Sequence, residues 1–193
     1  MNQDSSHKEF TLSESEKNTL LKISRNTLEE ICYLQNSFSI SESEITSNLK
    51  EKLGLFVTLY KQRELRGCLG RFQMDTQLVD SVKEMTISSA LHDHRFSPVT
   101  KKEVPEITIE ISVLTPLKKI NSIEEIQLGV HGIYIKKDMH SGTFLPQVAD
   151  STGWNLEEFL GHCSRDKAGL GWYGWKESDI FVYEAIVFCE NPH

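Results

Sequence analysis

Between residues 13 and 35 apolar side chains recur at near-helical spacing, at Leu20, Ile23, Leu28, Ile31 and Leu34, and predict an amphipathic helix. Ser13 with Glu16 fits a capping box at its start. Ser37 to Ser47, rich in Ser and Glu, reads as a loop. The period then changes. Leu55-Phe-Val-Thr-Leu-Tyr60 is an apolar run, Lys61-Gln-Arg-Glu64 a short charged turn, and Leu65-Arg-Gly-Cys-Leu-Gly70 the return strand of a hairpin over 54–72. A second helix, capped by Asp75 or Thr76, carries Leu78, Val82, Met85 and Ser89-Ala90 on its inner face. It ends before the polar loop His92-Asp-His-Arg-Phe-Ser-Pro98, where proline disfavours further helix.

Lys101 to Pro105 is a charged connector. Ile107, Ile109, Ile111 and Val113 then alternate with Thr108, Glu110, Ser112 and Leu114, the clearest period-two strand in the chain. Ser122–Ile126 reads as one helical turn. His131–Lys136 and Gly142–Ala149 read as two strands, with Lys137–Ser141 as the turn between them. Asn155 with Glu158 repeats the capping pattern for a helix through about Arg165. A Gly-rich aromatic segment, Ala168–Trp175, follows, and Ile180–Cys189, apolar on both faces, suits one central strand. The order helix, hairpin, helix, strand, hairpin, helix, strand predicts an α+β fold with a mixed, largely antiparallel sheet flanked by helices. Residues 1–12 are expected to form a frayed tail, 13–190 a single domain and 191–193 a second short tail.

Composition narrows the function. A chain of 193 residues with 38% apolar and 25% charged residues suits a soluble protein with one sizeable core. A net charge of −7 disfavours a nucleic-acid binder that works through a broad basic surface. Cys32, Cys68, Cys163 and Cys189 lie far apart, without zinc spacing, and read as reduced thiols of a cytoplasmic protein. No leader pattern and no apolar run of ~20 residues points to export or membrane insertion.

The candidate chemistry gathers on Leu65–Gly70. Arg66 and Cys68 stand two apart, so a regular strand would project both from one face. Gly67 between them leaves room for close approach to the backbone. Cys68 beside a cation reads either as an activated thiol or as a small packing residue. Arg66 reads either as a fork for a carboxylate or phosphate or as one half of a salt bridge, to Asp93 or Glu110. Asp93 and Arg95 pin the polar loop by hydrogen bonds or a salt bridge, or line a site. A metal centre at His92–His94 has no fixed partner spacing elsewhere, and neither a metal nor a cofactor is expected. His131 reads as a half-buried histidine at a strand start, or as a base for Cys68. Gln147 is placed to orient a ligand through its amide, or to satisfy a strand edge.

Several of these segments together resemble the AMMECR domain family, whose prokaryotic members are called AmmeMemoRadiSam system protein A. The resemblance rests on Leu65-Arg-Gly-Cys-Leu-Gly70, Asp93-His-Arg-Phe96, Ile109–Leu114, His131-Gly132, Leu145-Pro-Gln-Val-Ala149 and Lys167-Ala-Gly-Leu170, in that order, over about residues 15–190. It implies two unequal lobes with a cleft, and association with a Memo-like protein and a radical S-adenosylmethionine protein. It supplies no reaction. Two readings stand: a small-molecule or modified-residue site lined by Arg66, Gly67, Cys68, Asp93, Arg95, His131 and Gln147, with Cys68 its reactive group, or a non-catalytic scaffold for those partners.

Overall fold

The structure, a computed structural model, describes residues 10–34 and 40–190. In chain order the elements are α1 (Glu14–Tyr33), β1 (Leu55–Lys61), β2 (Glu64–Arg71), α2 (Leu78–Leu91), β3 (Ile107–Leu114), β4 (Lys118–Lys119), β5 (Gly132–Lys137), β6 (His140–Phe144), α3 (Pro146–Thr152), α4 (Leu156–His162), β7 (Asp179–Tyr183) and β8 (Ala185–Cys189). The fold is α+β. The chain divides into two compact units, one running to Val113 and resuming at Ile186, the other spanning Leu114–Ala185.

The first unit is built on a sheet of order β2-β1-β3-β8, with β1 antiparallel to both β2 and β3. Period-two alternation sends Leu55, Val57, Leu59, Ile107, Ile109, Ile111 and Val113 into the core, where they meet α1 and α2. The opposite face carries Phe56, Thr58, Tyr60, Thr108, Glu110 and Ser112. Helix α1 starts with the capping box of Ser13 and Glu16, and contributes the buried Leu20, Ile23 and Leu28. It meets α2 through a buried hydroxyl pair, Ser24 Oγ and Thr86 Oγ1, at 2.7 Å. The β1–β2 turn puts Gln62 and Arg63 at φ 53° and 68°, the left-handed pair that a two-residue hairpin turn needs to match strand twist.

The second unit carries a sheet of order β4-β7-β5-β6 over a core of Ile133, Ile135, Phe144, Phe159, Leu160, Cys163 and Val182. Asn155 and Glu158 form the expected capping box of α4. The helix passes into a π-helical turn, Cys163–Lys167, packed so closely on β6 that a Cβ at Gly142 would stand 2.5 Å from the Ala168 nitrogen. Trp175 is buried in this core, and Trp172 covers Gly161. No helix among the described residues is long and apolar enough to cross a membrane.

Four expectations change. The apolar stretch 180–189 is two strands in different sheets, broken at Glu184, whose N–H donates to Thr115 Oγ1 at 2.8 Å and whose carbonyl accepts from Thr115 N–H at 2.9 Å. The apolar pattern survives the break because each half is covered by its own core. Strand β6 stops at Phe144, because Pro146 sits in the first turn of α3, where its missing N–H costs no helical bond. Its hairpin turn is correspondingly tighter, with His140 already in the strand. Helix α2 is preceded by Gln77 without a side-chain cap, since the Thr76 hydroxyl is engaged with Ser81 Oγ at 2.8 Å. Of the expected tails at 1–12 and 191–193 and the Ser37–Ser47 loop, residues 1–9, 191–193 and 37–39 lie outside the described residues, whereas Leu12 is buried in the first core.

Candidate binding site at the Leu65–Gly70 strand

Strand β2 is an edge strand, so one side of its backbone has no ladder partner. At Cys68 those groups are satisfied by side chains. Its N–H donates to Asp93 Oδ2 at 2.9 Å, and its carbonyl accepts from Arg95 Nη2 at 3.1 Å. Asp93 and Arg95 are joined by bonds of 2.9 and 2.7 Å, and Asp93 Oδ1 also accepts the Arg95 N–H at 3.1 Å. The pair stands where a fifth strand would. Asp93 is 3% exposed, and the Arg95 guanidinium holds its carboxyl well below the usual carboxylate range.

The glycines of the strand answer to packing. A Cβ at Gly67 would lie 2.3 Å from the Ser89 carbonyl oxygen, so α2 approaches the hairpin only over bare backbone. The Ser89 hydroxyl then bridges the two strands, accepting the Leu69 N–H at 2.8 Å and donating to the Val57 carbonyl at 2.7 Å. At Gly70 a Cβ would meet the Phe56 ring at 2.4 Å.

Arg66 falls at an irregularity. The register runs Leu59 with Gly67 and then Tyr60 with Leu65, a bulge that leaves Arg66 without an opposite residue. The bulge interrupts the alternation on which a shared face for Arg66 and Cys68 rested. The Arg66 fork closes on Glu103, from Nε at 3.0 Å and Nη2 at 3.2 Å, rather than on Asp93 or Glu110. Arg66 draws the Glu103 carboxyl down to about 2, helped by the Thr100 N–H. Arg66 Nη1 is buried and has no hydrogen-bond partner among the described residues. The guanidinium carbons of Arg66 and Arg95 lie 6.0 and 5.5 Å from the centre of the Phe96 ring, which links the two cations into one network.

Cys68 itself is half-buried. Its sulfur accepts the Thr58 hydroxyl at 3.2 Å, from the opposite position on β1. Two residues along that strand, the Tyr60 hydroxyl reaches Glu110 Oε1 at 3.5 Å. Burial pushes the Glu110 carboxyl above its ordinary value. Burial does the same to Cys163, up to about 12, and that thiol is wholly enclosed in the second core.

Arg66, Gly67, Cys68, Asp93 and Arg95 therefore meet in the first unit, while His131 and Gln147 belong to the second. His131 Nδ1 accepts the Gln127 N–H at 3.1 Å, which places the proton of the neutral ring on Nε2, 4.0 Å from Glu184 Oε1. Gln147 is exposed on the first turn of α3. His92 and His94 are exposed on either side of Asp93. Sequence reasoning passed over Glu103, Thr58 and the Ser89 hydroxyl. Glu103 sits in a charged connector with nothing to single it out, and the other two follow from register alone.

The AMMECR1 family profile matches residues 21–188. Protein MK0488 of Methanopyrus kandleri is 40% identical over 94% of this chain and 91% of its own. A protein of Methanothermobacter thermautotrophicus is 35% identical over 93% and 97% of the two chains. Among solved structures, the crystal structure of the uncharacterized protein PH0010 from Pyrococcus horikoshii matches with a TM-score of 0.76 at 32% identity, over 89% of this chain and 90% of that one. On the family profile and these relatives together, the chain belongs to the AMMECR1 family.

Proposed function

We propose that the first unit binds a small molecule, or a modified residue of a partner protein, at the Leu65–Gly70 strand, with the Cys68 thiol as the group that meets it. One observation carries this reading. Gly67, Gly70, Asp93 and Arg95 are occupied in building the strand, whereas the Cys68 sulfur is held in place yet holds nothing together. Its backbone is clamped at both N–H and carbonyl, and Thr58 orients its sulfur. Such rigidity suits a group that must meet a ligand in one geometry.

The second reading is a non-catalytic scaffold for the Memo-like and radical S-adenosylmethionine proteins that the family resemblance implies. The closed Arg66–Glu103 fork favours it, since a guanidinium already paired is not free to hold an anionic substrate beside the thiol.

Alkylation of the folded protein with iodoacetamide, read site by site by mass spectrometry, tests the reading. Cys68 is expected to label in the native state, with a rate altered by Thr58→Val, while Cys163 labels only after unfolding. Protection of Cys68 equal to that of Cys163 would overturn the proposal. Co-purification of a partner that survives Cys68→Ser, together with native labelling of Cys68, selects the scaffold.

A further inference from the structure

We propose a second binding site on the polar face of the first sheet, a pocket that takes a small organic ammonium ion between the Glu110 carboxylate and the Tyr60 ring. The pocket has a volume of about 640 Å³, within the range of small-molecule sites. Tyr60 of β1, Thr108 and Glu110 of β3 and Cys189 of β8 line it, with Ile107 on its wall and Arg63 at its rim. Cys68 is not part of the lining, so the site stands whether or not that thiol reacts.

The charge pattern selects the ligand. Three carboxylates reach this pocket, and two are already answered. Glu190 is paired with Arg25 and accepts the Ile109 N–H at 3.1 Å. Glu106 accepts from Gln62 Nε2 at 3.1 Å and lies 4.0 Å from Lys61 Nζ. Glu110 has only the long contact from the Tyr60 hydroxyl at 3.5 Å, and no lysine or arginine pairs with it among the described residues. A half-buried carboxylate without a counter-charge is held at a cost that a cation in the pocket would remove. Arg63, at the rim, is already engaged within the protein. The Tyr60 ring supplies a face that attracts ammonium. With Glu106, Glu110 and Glu190 in its lining, the pocket favours a cation over a carboxylate or phosphate.

Phenethylammonium and phenylacetate, alike in the ring and opposite in charge, test the proposal by calorimetry and by amide chemical shifts. Phenethylammonium is expected to bind saturably and to shift the Thr108 and Glu110 amides, with phenylacetate silent. Glu110→Gln keeps the shape and should weaken binding about tenfold, the worth of a charge-assisted contact. Tyr60→Leu keeps the carboxylate, removes the ring, and should weaken binding as well. It serves as the deciding variant if Glu110→Gln does not fold. Cys68→Ser should leave the affinity unchanged, so failure here and failure of the thiol site are separate results. Equal binding of both probes, no binding at millimolar concentration, or unaltered affinity in the folded Glu110 and Tyr60 variants would overturn the proposal.

Discussion

Asp93 Oδ2 accepts the backbone N–H of Cys68 at 2.9 Å, from a carboxylate buried beside an edge strand. The contact does the work of a neighbouring strand with one side chain, and Arg95 completes it on the Cys68 carbonyl. Replacing Asp93 by Ala would strip the N–H of its acceptor and Arg95 of its counter-charge. A loss of about 2 kcal/mol or more is expected, read from urea unfolding. Asp93→Asn restores an acceptor oxygen and should recover part of the loss. Equal stability of the Ala variant and the wild type would show that the pair does not secure the strand.

Gly67→Ala places a Cβ 2.3 Å from the Ser89 carbonyl oxygen, a backbone atom that cannot rotate away. Helix α2 would have to lift from the hairpin, at a cost of about 1–3 kcal/mol. Thermal unfolding measures it, and Cys68 labelling in the same variant reports whether the strand has shifted. A Gly153→Ala control meets nothing within 4 Å, so its effect isolates backbone strain at φ 68°.

Ser89→Ala removes the hydroxyl that joins the Leu69 N–H to the Val57 carbonyl inside the sheet. Two buried backbone groups lose their partner, and a destabilisation of about 2 kcal/mol is expected in denaturant titration. Hydrogen exchange at Leu69 should accelerate more than exchange at the ends of β2, which would separate a local opening from a general loss of stability.

The carboxyls predict opposite pH responses. Glu103, lowered to about 2 by Arg66, contributes stability that is complete above its ordinary value of 4.5 and is lost as pH falls towards 2. Asp93 acts in the same direction, with its loss extending to lower pH. Glu110 is raised by burial, so it favours the folded state at low pH and subtracts stability as pH rises above 4.5. Glu103→Gln should therefore flatten the acid limb of a stability–pH curve, while Glu110→Gln should leave that limb and gain stability at neutral pH. Parallel curves for the wild type and both variants would contradict the assignment.

The sequence by itself determined the local elements, since helix and strand periods depend on which residues face the core. Ser13–Glu16 and Asn155–Glu158 announced their helices, and Ile107–Val113 announced its strand, because caps and alternation are properties of neighbours in the chain. The Leu65–Gly70 motif was legible as a hairpin strand for the same reason. Tertiary structure decided everything that needs a distant partner. The split of 180–189 between two sheets depends on which core covers each half, and one apolar run looks the same either way. Arg66 was drawn to Glu103 rather than to Asp93 or Glu110 by a bulge that composition does not encode. Gly67 carries a glycine because of Ser89, 22 residues further along the chain, and Cys68 gains its fixed geometry from Thr58 on one segment and from Asp93 and Arg95 on another. The unpaired Glu110 emerged only when register set it beside Tyr60, because a missing counter-charge is a fact about space and not about sequence.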